Sequence, residues 1–189
     1  LNRAYITPKR IVTKYAGCKN NLIKDEHYLL ERGNGQSEMN RKRCCIMTST
    51  ETEKASLLLD FGSELHGGLK LVMGSSSRRE PSLVRIRFGE SVGEANSSTS
   101  NSEWKVGFST DDHAKRDIIM EIPRDGMIEI GNTGFRFVRL DLLQNNATIS
   151  LKEISAILRY RDIPYLGSFE CNDQRLNKIW ITGAYTVHL

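Results

Sequence analysis

Acidic side chains and histidines gather in three short stretches. GSELHGG, residues 62–68, carries Glu64 and His66. FGES, residues 88–91, carries Glu90. STDDHAKRD, residues 109–117, carries Asp111, Asp112, His113, Arg116 and Asp117. Carboxylates beside imidazole and guanidinium groups suit two kinds of chemistry. Calcium takes about six to eight oxygen ligands, and Asp111, Asp112, Asp117 and Glu90 would supply several if their loops converged. A sugar takes hydrogen bonds from the same groups and stacks its apolar face on an aromatic ring. Trp104, in the polar stretch NSEWKVGF, is the candidate platform. The plainer alternative is structural, and it is preferred. Asp and Asn cap turns, His113 and Glu90 hold loops or dock a neighbouring domain, and Trp104 anchors its loop. The candidate set for carbohydrate or inter-domain contact is therefore Glu64, His66, Glu90, Trp104, Asp112, His113 and Arg116. No residue is assigned to catalysis or to a resident metal; calcium is the one cofactor left open.

These residues sit between segments that alternate at period two. KASLLLDFG places Leu57, Leu59 and Phe61 on one face, with Leu58 and Asp60 on the other. GGLKLVMG repeats the pattern with Leu69, Leu71 and Met73. SLVRIRFGE sets Val84, Ile86 and Phe88 inward and Arg85 and Arg87 outward. Such alternation marks a strand with one wet face. RDIIMEIP, GMIEIG and FRFVRLDLL follow, with Phe135, Phe137, Val138 and Leu140 assigned to core or inter-domain contact. ATISLKEISAILRYR changes parity at Lys152–Glu153, which predicts a bulge there. Two more strands are expected at residues 9–14 and 43–48. Glycine-rich punctuation separates the runs, Gly67–Gly68 included. Many short strands with regular breaks predict an all-β jelly roll or sandwich.

Composition sets the limits. The chain has 189 residues, 39% hydrophobic and 26% charged, as in an ordinary globular domain. No apolar run is long enough to span a membrane as a helix. The net charge of +4 is too mild to argue for nucleic acid. It is unevenly spread, however. Residues 1–45 hold ten Lys/Arg against four Asp/Glu, a basic segment that reads first as solvated surface and second as an attractor of anionic partners. Cys18, Cys44, Cys45 and Cys171 form no CxxC pair, so free thiols are expected, with one long-range disulfide left open.

The end of the chain departs from the strand pattern. After Pro164 and Gly167, Asn172 is a candidate N-cap, with Asp173 in the first turn. Leu176, Ile179, Trp180, Gly183, Ala184 and Val187 then recur at helical spacing and form one apolar face. No glycine or proline closes the helix before Leu189. Such a stripe needs a partner, and sequence beyond Leu189 is expected to supply it. Failing that, the helix is expected to self-associate or fold back on the sandwich.

Five blocks together resemble a known family: LLLDFGSELHGGLKLV, VRIRFGESVGEA, STDDHAKRD, IGNTGFRFVRLDLL and YRDIPYLGSFECNDQRLNKIWITGAYTVHL. In order and spacing they are similar to the amino-terminal region of bacterial α-L-rhamnosidases of glycoside hydrolase family 78. The resemblance implies a galactose-binding-like β-sandwich over residues 1–165. Residues 166–189 would be the linker and first helix of a missing (α/α)6 barrel. Inverting hydrolysis needs an acid and a base roughly 6.5–9.5 Å apart. The family supplies both from the barrel, so this chain alone is expected to be inactive. Its expected role is to scaffold the barrel and contact rhamnose-containing glycans. The alternatives are a free-standing carbohydrate-binding module and a protein-interaction sandwich. A periplasmic or extracellular setting would fit the resemblance.

Overall fold

A computed structural model describes residues 1–37, 42–77, 79–97 and 116–189. Trp104, Asp111, Asp112 and His113 lie outside the described residues. The strands are β1 (Asn2–Ile6), β2 (Arg10–Tyr15), β3 (Ile23–Lys24), β4 (Cys45–Thr48), β5 (Ser56–Ser76), β6 (Ser82–Gly89), β7 (Asp117–Ile122), β8 (Gly126–Leu142) and β9 (Thr148–Tyr160). A 3-10 turn covers Glu26–Leu30. Helix α1 covers Val92–Asn96 and helix α2 covers Gln174–His188. The fold is all-β with a C-terminal helix, and every strand pairing is antiparallel.

Two long strands build both layers of the sandwich. The first part of β5 pairs with β2 and with the end of β8, which pairs on to β6 and then β7. The second part of β5 pairs with the start of β8 and with β9, which carries β1 and β4. At 21 and 17 residues, β5 and β8 far exceed the usual strand of about five or six. They do so by bending. Between Asp60↔Phe137 and Leu65↔Phe135, four residues of β5 stand opposite Arg136 alone. That bulge turns the strand from one layer into the other.

The expected inward faces are the core. Leu57, Leu59, Phe61, Leu69, Leu71, Met73, Val84, Ile86, Phe88, Val138 and Leu140 all belong to one buried cluster drawn from both layers. Each large side chain so buried contributes about 1.5–3 kcal/mol. Phe135 centres an aromatic trio at the bend, edge-on to Phe61 at 5.9 Å and to Phe88 at 5.0 Å. The bulge in β9 is where parity placed it: Val72↔Glu153 is followed by Met73↔Leu151, so Lys152 is the extra residue. Ile149 and Leu151 before it, and Ile154 and Ala156 after it, therefore all reach the same core.

Several expectations need correction. Gly67–Gly68 is not a turn but the middle of β5. A Cβ on Gly67, whose φ is +150°, would stand 1.8 Å from the Ile157 carbonyl oxygen, and one on Gly68 would stand 2.4 Å from that of Ile130. Flanking backbones come too close for any side chain. GMIEIG and FRFVRLDLL are likewise one strand, and β1 is a further strand, paired with β9, that the alternation did not mark. Arg87 does not face water. It is buried beneath the end of α1, donating to the carbonyls of Asn96 and Ser97 at 3.0 Å and to Asp141 at 2.7 Å. The cap of α2 is Asp173 rather than Asn172; its carboxylate accepts from the Arg175 N–H at 2.8 Å. All four cysteines are free, with Cys44 and Cys45 buried and Cys18 exposed.

Candidate functional site

The bend in β5 also positions the candidate site. Gly62 takes φ +92° and donates its N–H to Asp60 at 2.8 Å, which starts the bulge. Glu64 emerges from its far side. Nearby, β6 ends at Gly89, where a Cβ would stand 2.4 Å from the Ala95 nitrogen; only glycine lets α1 fold back here. Ser91 caps α1 by accepting from the Glu94 N–H at 3.1 Å. Glu94 in turn accepts from the Glu90 N–H at 2.8 Å. This is a variant of the S-x-x-E capping box, with the glutamate reaching the N–H one residue ahead of the cap instead of that of Ser91.

Arg116, just ahead of β7, ties the two acids together. Its Nη1 donates to Glu94 at 2.7 Å and its Nη2 to Glu90 at 3.0 Å. Gly134 of β8 lies below. A Cβ there would sit 3.3 Å from Glu64 Oε1 and 3.9 Å from Glu90 Oε1, so a bare backbone gives both carboxylates room. His66 stands opposite Gly134 in the β5–β8 register. Of the seven candidate residues, Glu64, Glu90 and Arg116 are thus brought together, with His66 adjoining them in register. Trp104, Asp112 and His113 fall outside the described residues.

Burial and the Glu90 charge push the Glu64 carboxyl up to about 7, with Glu94 acting the same way and Arg116 and Arg136 opposing. Near neutral pH it can therefore either donate or accept a hydrogen bond, as a sugar hydroxyl requires. Arg136 is committed elsewhere. It forks onto the buried Asp60 at 2.8 and 3.0 Å, and Arg10 reaches the same carboxylate at 3.0 Å. These partners hold Asp60 well below the usual carboxylate range.

Of the calcium set, Asp117 and Glu90 lie among the described residues. Asp117 is gripped by Arg85 through both oxygens, at 2.7 and 2.5 Å, and Glu90 is held by Arg116. Among the described residues no group of three His, Cys, Asp or Glu is arranged to hold a metal ion.

Helix α2 leans on the same corner. Tyr185 donates its hydroxyl to the Glu64 carbonyl at 2.6 Å. His188 Nδ1 lies 2.8 Å from the Arg161 carbonyl, and its ring stacks on Tyr165 at 4.9 Å. The contacting face runs through Asn177, Trp180, Ala184, Tyr185 and His188, rotated from the apolar stripe read in the sequence. Trp180 meets Tyr165 at 6.4 Å, whereas Leu176, Ile179 and Val187 stay exposed. Sequence reading missed Glu94 and Tyr185. The S-x-x-E spacing was a usable signal for Glu94; for Tyr185 no local pattern existed.

No family model matches the sequence, and no curated protein gives a significant match. Solved structures do. A rhamnosidase from Klebsiella oxytoca with rhamnose bound superposes on 99% of this chain at TM-score 0.67 and 16% identity, over 35% of its own length. A GH78 family rhamnosidase of Bacillus sp. GL1 superposes on 78% at TM-score 0.56 and 19% identity, over 14% of its length. The chain thus shares its fold with a minor part of each enzyme.

Proposed function

We propose that this chain is the non-catalytic β-sandwich portion of an α-L-rhamnosidase-like glycoside hydrolase, with residues 1–165 as scaffold and α2 as the entry to a catalytic barrel. One observation carries the reading: the superposition on the Klebsiella enzyme takes in 99% of the chain, so it runs through sandwich, extended stretch and α2 alike. The corner of Glu64, Glu90, Glu94 and Arg116 is met by α2 through Tyr185 at the Glu64 carbonyl, and it is suited to meet the barrel beside it. The reading frame past Leu189 tests the assembly. Several hundred further residues in helical hairpins are expected; a stop codon or an unrelated domain there overturns it. The chain itself should not hydrolyse aryl α-L-rhamnosides. Turnover that Glu64→Gln or Glu90→Gln abolishes would place the chemistry in the sandwich instead.

A second reading, a sugar-binding module, is favoured by the raised Glu64 carboxyl beside the Arg116 guanidinium fork. Calorimetric titration with L-rhamnose separates the two. Binding lost in Arg116→Ala supports the module, and no heat at millimolar sugar supports the scaffold.

A further inference from the structure

A second polar concentration lies apart from that corner. A groove of about 300 Å3 opens between the 3-10 turn, the segment that follows it, Arg43 and the bulge of β9. Tyr28, Glu31, Arg32, Asn34, Arg43 and Lys152 line it. Lys152 is there because it is the extra residue of the bulge, a device that commonly re-aims a side chain. The wall is anchored from beneath. Glu153 and Lys70, both buried, pair at 2.6 Å, and Glu153 also accepts from the Gly35 N–H at 3.0 Å. A Cβ on Gly33 would stand 2.0 Å from the Glu153 carboxylate, so the segment sits directly on this ion pair. The Gly33–Gly35 wall is therefore held in place without a ligand, which lowers the ordering cost of binding there.

We propose that this groove binds an anionic sugar, a single pyranose unit carrying a carboxylate or a sulfate ester. Among the described residues the lining holds Arg32, Arg43 and Lys152 with Glu31, and Lys152 Nζ also donates to the Lys42 carbonyl at 3.3 Å. Guanidinium forks match planar or tetrahedral oxyanions and bind them in pairs of charge-assisted hydrogen bonds. The Asn34 amide bonds Gln36 through both its nitrogen and its oxygen but keeps a second N–H and a second lone pair, and the Tyr28 hydroxyl can donate and accept, so both can meet ring hydroxyls. The volume is at the low end for small-molecule sites, roughly 300–1,000 Å3, which favours one ring over an oligomer. Glu31 pairs with Arg43, which also lies over the Tyr28 ring at 5.4 Å. Glu31 is thus an internal competitor that a ligand anion displaces. The proposal does not depend on the rhamnosidase-like assembly.

The test titrates the full chain at low salt with glucuronate, glucose 6-sulfate, glucose and inorganic sulfate, read by calorimetry and amide chemical shifts. One or both anionic sugars should bind at least about tenfold more tightly than glucose and than sulfate alone, and the two arms tell carboxylate from sulfate ester. Lys152→Gln and Arg43→Gln should each weaken binding about tenfold, and Glu31→Gln should strengthen it several-fold. Equal binding of inorganic sulfate would mean an anion site without sugar recognition. That result, equal binding of glucose, or no binding of either anionic sugar overturns the proposal. Thermal unfolding checks each variant. If one fails to fold, shifts confined to Tyr28, Asn34 and Lys152 in the parent decide for the groove, and shifts elsewhere decide against it.

Discussion

Two carboxylates show how one sandwich sets opposite demands on the same functional group. Glu64 is raised to about 7 by burial and by the Glu90 charge. Between about pH 4 and pH 7 the folded chain holds a proton there that the unfolded chain has released. Stability from this group is therefore full below about pH 4 and is lost as pH rises through 7. Glu64 is half-buried, so solvent screening reduces the effect to about 1 kcal/mol. Glu64→Gln should leave stability unchanged at pH 4, raise it by about that amount at pH 8, and flatten the urea midpoint between them. An unchanged pH profile would show that Glu64 ionises normally. Asp60 works the other way. Its carboxyl is held low by Arg136 first, helped by the Gly62 N–H and Arg10, so its contribution is present above about pH 4 and lost below. Asp60→Asn strips a buried charge from two arginines that keep access to water, and should cost about 2–3 kcal/mol at pH 7. Denaturant titration at pH 7 and pH 3 checks it, with the difference between parent and variant shrinking at the lower pH.

At the scale of elements, the sandwich rests on where strands are allowed to bend. Gly67 is the narrowest point, where β5, β8 and β9 run side by side. Gly67→Ala would drive a methyl group into the Ile157 carbonyl oxygen and force the β5–β9 ladder apart. A loss of at least about 2 kcal/mol is expected, read as a lowered melting temperature. Gly126→Ala serves as the control, since a Cβ there meets nothing within 4 Å, although its φ of +93° carries a strain of its own. Much of this was legible in the sequence. Parity alone located the Lys152 bulge and named the inward faces of β5, β6 and β8. What it could not reveal is that Gly67–Gly68 is a close crossing and not a turn, because glycine serves both needs. Nor could it bury Arg87, whose cover comes from α1. The candidate site was half legible for the same reason. Glu64, Glu90 and Arg116 announced themselves by type, but Gly134 and Tyr185 matter only through a register and a docked helix.

For the whole molecule, the open matter is the outer face of α2. Tyr185 and His188 hold the helix by hydrogen bonds to Glu64 and Arg161, and Trp180 lies near Tyr165. No residue of α2 is buried. Leu176, Ile179, Ile181 and Val187 are 46–64% exposed, and Leu166 and Tyr165 add to the apolar surface before the helix. Covering side chains of this size yields about 1.5–3 kcal/mol each, enough to drive association where the surfaces fit. A barrel packed against α2 would cover them in the proposed assembly. Without one, the 189-residue chain should associate reversibly through this face. Light scattering should show a mass that rises with concentration for the parent. Ile179→Asp with Val187→Asp should remain monomeric, because both side chains are exposed and the charge opposes burial against a second copy. Its β-rich circular dichroism and thermal midpoint should match the parent. Tyr185→Phe separates docking from association. It removes the hydrogen bond to Glu64 and should make α2 more sensitive to protease while leaving the association unchanged. A parent that stays monodisperse and monomeric at high concentration would show that the exposed stripe has no affinity for itself, and would leave a partner of different shape as the surface it fits.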